Sequence, residues 1–95
     1  MPVPARIAPA AADIPALQAR LEADDKDSDA RYRLAIGRVV AQDFDAATEE
    51  LLHLMARDPG YADGAAREAL LKLFDLLGDD PLVAQARRRM FNLLH

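Results

Sequence analysis

Cysteine and tryptophan are absent from these 95 residues, and serine and threonine occur once each, as Ser28 and Thr48. Without cysteine there is no thiol nucleophile, no disulfide and no zinc–thiolate site. Compartment is left open by that absence alone. Positive charge is short as well, since twelve Lys and Arg face sixteen Asp and Glu for a net charge of −4. A nucleic-acid surface carries the opposite excess, so no nucleic-acid partner is expected. No apolar run approaches the roughly 18 residues a membrane span needs, so no membrane partner is expected either. Prolines at positions 2, 4, 9 and 15 interrupt a weakly apolar N-terminus and argue against a secretory signal. A cytoplasmic location is the default. Long alternating Val/Ile/Thr segments are also missing, so nothing reads as a strand.

Alanine and leucine dominate what remains, and they are the strongest helix formers. The expected fold is all-α, with about five helices. Residues 1–12, MPVPARIAPAAA, read as a flexible or extended leader or interdomain linker, because closely spaced prolines break a helix. Asp13 can cap a first helix over about 14–24, with Ile14, Leu17 and Leu21 as its apolar stripe. Ser28 or Asp27 is placed to cap a second, which carries Leu34, Ile36, Val39 and Val40 and ends near Gln42. Asp43 starts a third helix and Asp58-Pro59-Gly60 ends it, with Phe44, Ala47, Leu51, Leu54 and Met55 on one face. A fourth runs from about Asp63 to Leu77 and stops at Gly78. The fifth starts at Pro81 with Leu82, Ala86, Met90 and Leu93 as its stripe. Links this short make neighbouring helices antiparallel pairs.

The run DDKDSDA, residues 24–30, spaces Asp25, Asp27 and Asp29 as the start of a calcium loop would. Such a loop needs glycine at its sixth position and a bidentate glutamate at its last. Ala30 and Ile36 stand there instead, and neither supplies the turn or the ligand. The acids therefore read as a capped turn at a helix start, where they meet free N–H groups and the positive end of the dipole. His53 and His95 are isolated, Ser28 has no nearby base, and no glycine-rich phosphate cradle exists. No catalytic, metal or cofactor residues are expected, and the chain does not read as an enzyme.

A period runs through the helices. Pro59 and Asp25, which close the third and first helices, lie 34 residues apart, as do Ala62 and Ser28, which open two others. A helix–turn–helix period of that length resembles the tetratricopeptide repeat. Residues 28–61 add Leu34-Ala35, Ala47 early in the next helix, Leu51, and the closing DPG, all in keeping with that pattern. Arg31 and Arg38 stand where the family usually shows aromatics, and the second copy keeps Ala69 and little else. The organisation implied is a helical domain over 13–95: a half repeat 13–27, a repeat 28–61 and a degenerate repeat 62–95, in a right-handed array.

The stretch DGAAREALLKLFDLLGDDPLVAQARRRM, within a likeness covering about residues 12–95, resembles the C-terminal helical module of thioredoxin-like co-chaperones, the chaperedoxins. That resemblance implies a holdase role: binding unfolded client proteins and passing them to a chaperonin. The family's thiol site belongs to a thioredoxin domain that this chain does not contain, so no redox activity is implied.

In such arrays the first helix of each repeat lines the concave face. Helical phase then nominates Tyr32, Ile36 and Val39 from one repeat, and Ala66, Leu70, Leu73 and Phe74 from the next, as an apolar protein-binding face. Ile36 and Leu70 occupy places where a clamp for an acidic C-terminus would want polar groups, so no such clamp is expected. The same residues would equally serve as core if a terminal helix filled the groove. Arg87, Arg88 and Arg89 form a basic run that reads either as a solvated face complementing the helix dipole or as a dock for an acidic partner. Arg33 and Arg67, one period apart, could extend a basic rim. A structural self-association domain, giving a homo-oligomer without clients, is the competing reading.

Overall fold

The computed structural model describes residues 14–94; the leader expected at 1–12 and His95 lie outside the described residues. Five helices follow one another there: α1 (Ile14–Ala23), α2 (Ser28–Val40), α3 (Phe44–Arg57), α4 (Ala65–Leu77) and α5 (Pro81–Leu93). One short 3₁₀ turn, Tyr61–Asp63, lies between α3 and α4, and no strand occurs among the described residues. The array is all-α and tetratricopeptide-like.

Small residues set its tightest joint. Ala35 and Ala47 are fully buried, and α2 and α3 make the most extensive helix pair of the array. Without Cβ branches in the way the two backbones close up, and Leu51, Leu52 and Leu54 fill the space beside them. The turn between them is sharp for a specific reason. Gln42 takes a left-handed φ of 63°, its N–H donates to the Val39 carbonyl, and the Asp43 N–H reaches back to Arg38. That is a Schellman closure with glutamine where glycine usually sits. Asp43 then caps α3 by accepting from the Ala46 N–H.

Helix α3 is the spine, burying Ala47, Thr48, Leu51, Leu52, Leu54 and Met55 against α2, α4 and α5. Helix α1 adds a smaller core of Leu17 with Ala30 and Leu34, flanked by Ile14 and Leu21. At the acidic turn, Asp27 is the cap of α2, taking the Ala30 N–H at 3.0 Å. Ser28 instead donates its hydroxyl to Asp58 at 2.6 Å and ties the start of α2 to the end of α3.

Two sequence expectations are corrected. Helix α4 begins at Ala65, not near Asp63, because Ala62, Asp63 and Gly64 all have positive φ (47°, 60° and 84°). This left-handed turn adds residues between the hairpins and shifts the repeat. The inward-facing pairs are Ala30 with Ala66, Leu34 with Leu70, and Gly37 with Leu73, each 36 apart instead of 34. In α5 the buried residues are Val83 and Ala86, with Met90 half-buried, whereas Leu82 is only partly covered and Leu93 is 41% exposed. The backbone of α5 lies nearer to α3 than to its hairpin mate α4, so the stripe that faces α3 is the one buried.

Candidate functional site

Helices α2 and α4, the first of each hairpin, flank an open groove. Tyr32, Ile36 and Val39 line it from α2, Glu68, Ala69, Lys72, Leu73 and Leu76 from α4, and Leu51 of α3 forms the floor; its volume is about 210 Å³. Tyr32 and Ile36 also line an adjoining cleft of about 330 Å³ with Asp29, Arg33 and Tyr61. The two form one furrow along α2, charged near the start of that helix and apolar near its end. Leu76 is 65% exposed at the apolar end.

The charged end is held in place. Asp29 accepts from Arg33 Nε at 2.9 Å and from the Tyr61 hydroxyl at 3.1 Å, with Arg20 at 3.4 Å. Burial opposes the Asp29 charge, yet the Arg33 and Tyr61 bonds outweigh it and hold the carboxyl below its ordinary value. Burial, and then the bond to Asp29, push the Tyr61 phenol up, so it stays a donor. The Tyr32 and Tyr61 rings pack 5.8 Å apart, tilted by 49°. One carboxylate thus fixes the α1–α2 turn, the 3₁₀ turn and the groove wall together.

The nominated face divides. Tyr32, Ile36, Val39 and Leu73 are brought together in the furrow. Leu70 is fully buried, Ala66 and Phe74 are each 3% exposed and Leu73 is 4% exposed, so all four are core, with Leu73 also lying at the base of the furrow. Helix α4 explains the difference: its apolar side is broad, running from Ala69 and Leu76 through Leu73 to Leu70 and Phe74, and periodicity alone does not say which part of it a neighbour covers. Glu68, Ala69, Lys72 and Leu76 of α4 and Tyr61 of the 3₁₀ turn also line the furrow and were not nominated. The only usable signal was the Ala69–Leu73–Leu76 spacing.

The basic residues scatter. Arg33 lies at the furrow's charged end, paired with Asp29. In the 36-residue alignment Arg67 matches Arg31, not Arg33, and it lies outside the furrow. Arg87 lays its guanidinium 5.5 Å from the Phe74 ring centroid. Arg88 is exposed. Arg89 turns toward α3 and pairs with Glu49, one arm at 3.0 Å. Arg87 and Arg89 of the run thus face different neighbours, Phe74 and Glu49.

A larger cleft of about 550 Å³ lies between α3 and α5, lined by Arg31, Glu49, Glu50, His53 and Arg89. Its charges are already matched, Arg31 to Glu50 at 2.8 Å and Arg89 to Glu49. Among the described residues no group of three or more His, Cys, Asp or Glu is placed to hold a metal ion, and no helix is long and apolar enough to cross a membrane.

Stacked helical hairpins with an open furrow between their first helices define a class of repeat protein built for protein–protein contact. The tetratricopeptide repeat family model matches residues 7–95, and the chain belongs to that family. No curated protein and no solved structure matches the chain.

Proposed function

We propose that this chain is the client-binding module of a thioredoxin-like co-chaperone, a holdase that takes apolar segments of unfolded proteins into the α2–α4 furrow and hands them to a chaperonin. One observation carries the reading: Ile36, Val39 and Leu76 form an apolar wall over the buried Leu73 and beside Lys72 and Glu68, open to solvent and without a polar clamp. Apolar surface of this kind, rimmed by charge, marks a protein-contact site.

The test uses two furrow residues outside the core. Wild-type chain should suppress light scattering from a chemically denatured model protein diluted into buffer, and should retain chaperonin from lysate. The Ile36→Asp/Leu76→Asp variant should keep its helical circular dichroism and lose suppression by roughly tenfold or more, as expected for removing apolar anchors worth about 1.5–3 kcal/mol each. Suppression undiminished in the variant moves the client site out of the furrow. Neither suppression nor chaperonin capture by the wild type removes the co-chaperone reading and leaves a general interaction module. Self-association is favoured by a different observation, the exposed apolar end of the array.

A further inference from the structure

We propose that the C-terminal end of the array docks on the N-terminal end of a second copy of this chain, head to tail. Terminal faces of repeat arrays are normally polar. The last hairpin here instead leaves Leu71 39%, Phe91 61% and Leu94 56% exposed. On α4, Arg67, Leu71 and Phe74 share one flank by helical spacing; on α5, Arg87, Phe91 and Leu94 do the same. Arg87 over the Phe74 ring joins the two flanks across a wide hairpin. The result is a shallow apolar face with Arg67, Arg87 and Arg88 around it.

Charge says what covers it. Residues 81–94 hold three arginines and no carboxylate, whereas residues 14–30 hold five carboxylates against Arg20 and Lys26. Asp27 and Asp29 are engaged by Arg20 and Arg33. Glu22 and Asp25 are exposed with no side-chain ion pair among the described residues, and Asp24 spends one oxygen on the Lys26 N–H. They lie beside a flank of α1 where Ala16, Ala19 and Ala23 are exposed, a low surface that large side chains such as Phe91 and Leu94 can rest on. An acidic, shallow head thus complements a basic, protruding tail. Because the two surfaces differ, the contact is heterologous and does not close at a dimer.

Sedimentation velocity tests this across a concentration series, at low and high salt. The wild-type mass should rise beyond a dimer with concentration and fall with added salt. Phe91→Asp/Leu94→Asp, which spoils the tail, and Glu22→Lys/Asp25→Lys, which spoils the head, should each be monomeric, with unchanged circular dichroism. Mixed, they retain one good head and one good tail, and should form a one-to-one dimer that grows no further. A wild type of one-chain mass throughout overturns the proposal. So does a dimer that survives Glu22→Lys/Asp25→Lys, which would mean two tails pairing, and so does a mixture that stays monomeric. None of these outcomes touches the furrow, because Ile36 and Leu76 are not altered.

Discussion

Gln42 holds a backbone angle that costs a side-chain-bearing residue about 1 kcal/mol, with φ at 63°. Its position closes α2 and admits α3 at once, so the chain accepts the strain to keep the turn short. Gln42→Gly is expected to raise stability by about 1 kcal/mol and the melting temperature by several degrees, read by thermal circular dichroism. An unchanged or lowered midpoint would mean that the Gln42 side chain contributes more than its backbone costs. The same scale separates the two leucines of α4 that matter most here. Leu70 has no exposure and belongs to the core, while Leu76 is 65% exposed and belongs to the furrow. Six residues apart on one helix, they differ in role through phase alone.

Helices differ in how firmly they are held. Helix α3 buries six residues and is packed by three neighbours. Helix α5 is capped by Asp80, which accepts from the Leu82 N–H at 2.9 Å, and anchored by Val83 and Ala86, with Met90 half-buried. Beyond Met90 every described residue is exposed, and the Arg89–Glu49 pair ties that end back to α3. Native-state hydrogen exchange should therefore show amides 88–94 opening well before those of α3. Arg89→Ala should quicken exchange at 88–94 by about two- to threefold, the scale of an exposed ion pair, and leave α3 unchanged. Equal rates in both helices would show instead that the array opens as one unit.

Across the whole molecule, acid should weaken the fold in two stages. His53 is held below its ordinary value of 6.5, first by burial and then by the nearby Arg31 and Arg57 charges. Glu49 is held below 4.5 chiefly by its bond from Arg89, and Asp29 below 3.8 by Arg33 and Tyr61 against the cost of burial. In all three the unfolded chain binds its proton more readily, so stability is greatest above the ordinary value and is lost as pH falls through the folded one. Urea midpoints measured from pH 7.5 to pH 3 should decline slightly as His53 takes its proton and more steeply below about pH 4.5. His53→Gln should flatten the first decline and spare the second. A midpoint that rises on acidification would contradict the assignment of these groups.

Helix number, most boundaries and the family kinship are written in local chemistry: alanine and leucine throughout, aspartates before α2, α3 and α5, and the Asp58-Pro59-Gly60 break. Those signals act within a turn or two of chain, so they can be read in order along it. The inner face of α4, the stripe of α5 and the 36-residue spacing cannot be read that way. They depend on a left-handed turn at Ala62–Gly64 and on α5 settling nearer α3 than α4, and both are outcomes of packing between distant segments. Tyr32, Ile36 and Val39 come together in one furrow, whereas Leu70 and Phe74 lie in the core, because periodicity marks the broad apolar side of α4 but not which part of it a neighbour covers. Helices arise from short-range preference, but which residues meet a partner is set by which neighbours cover them first.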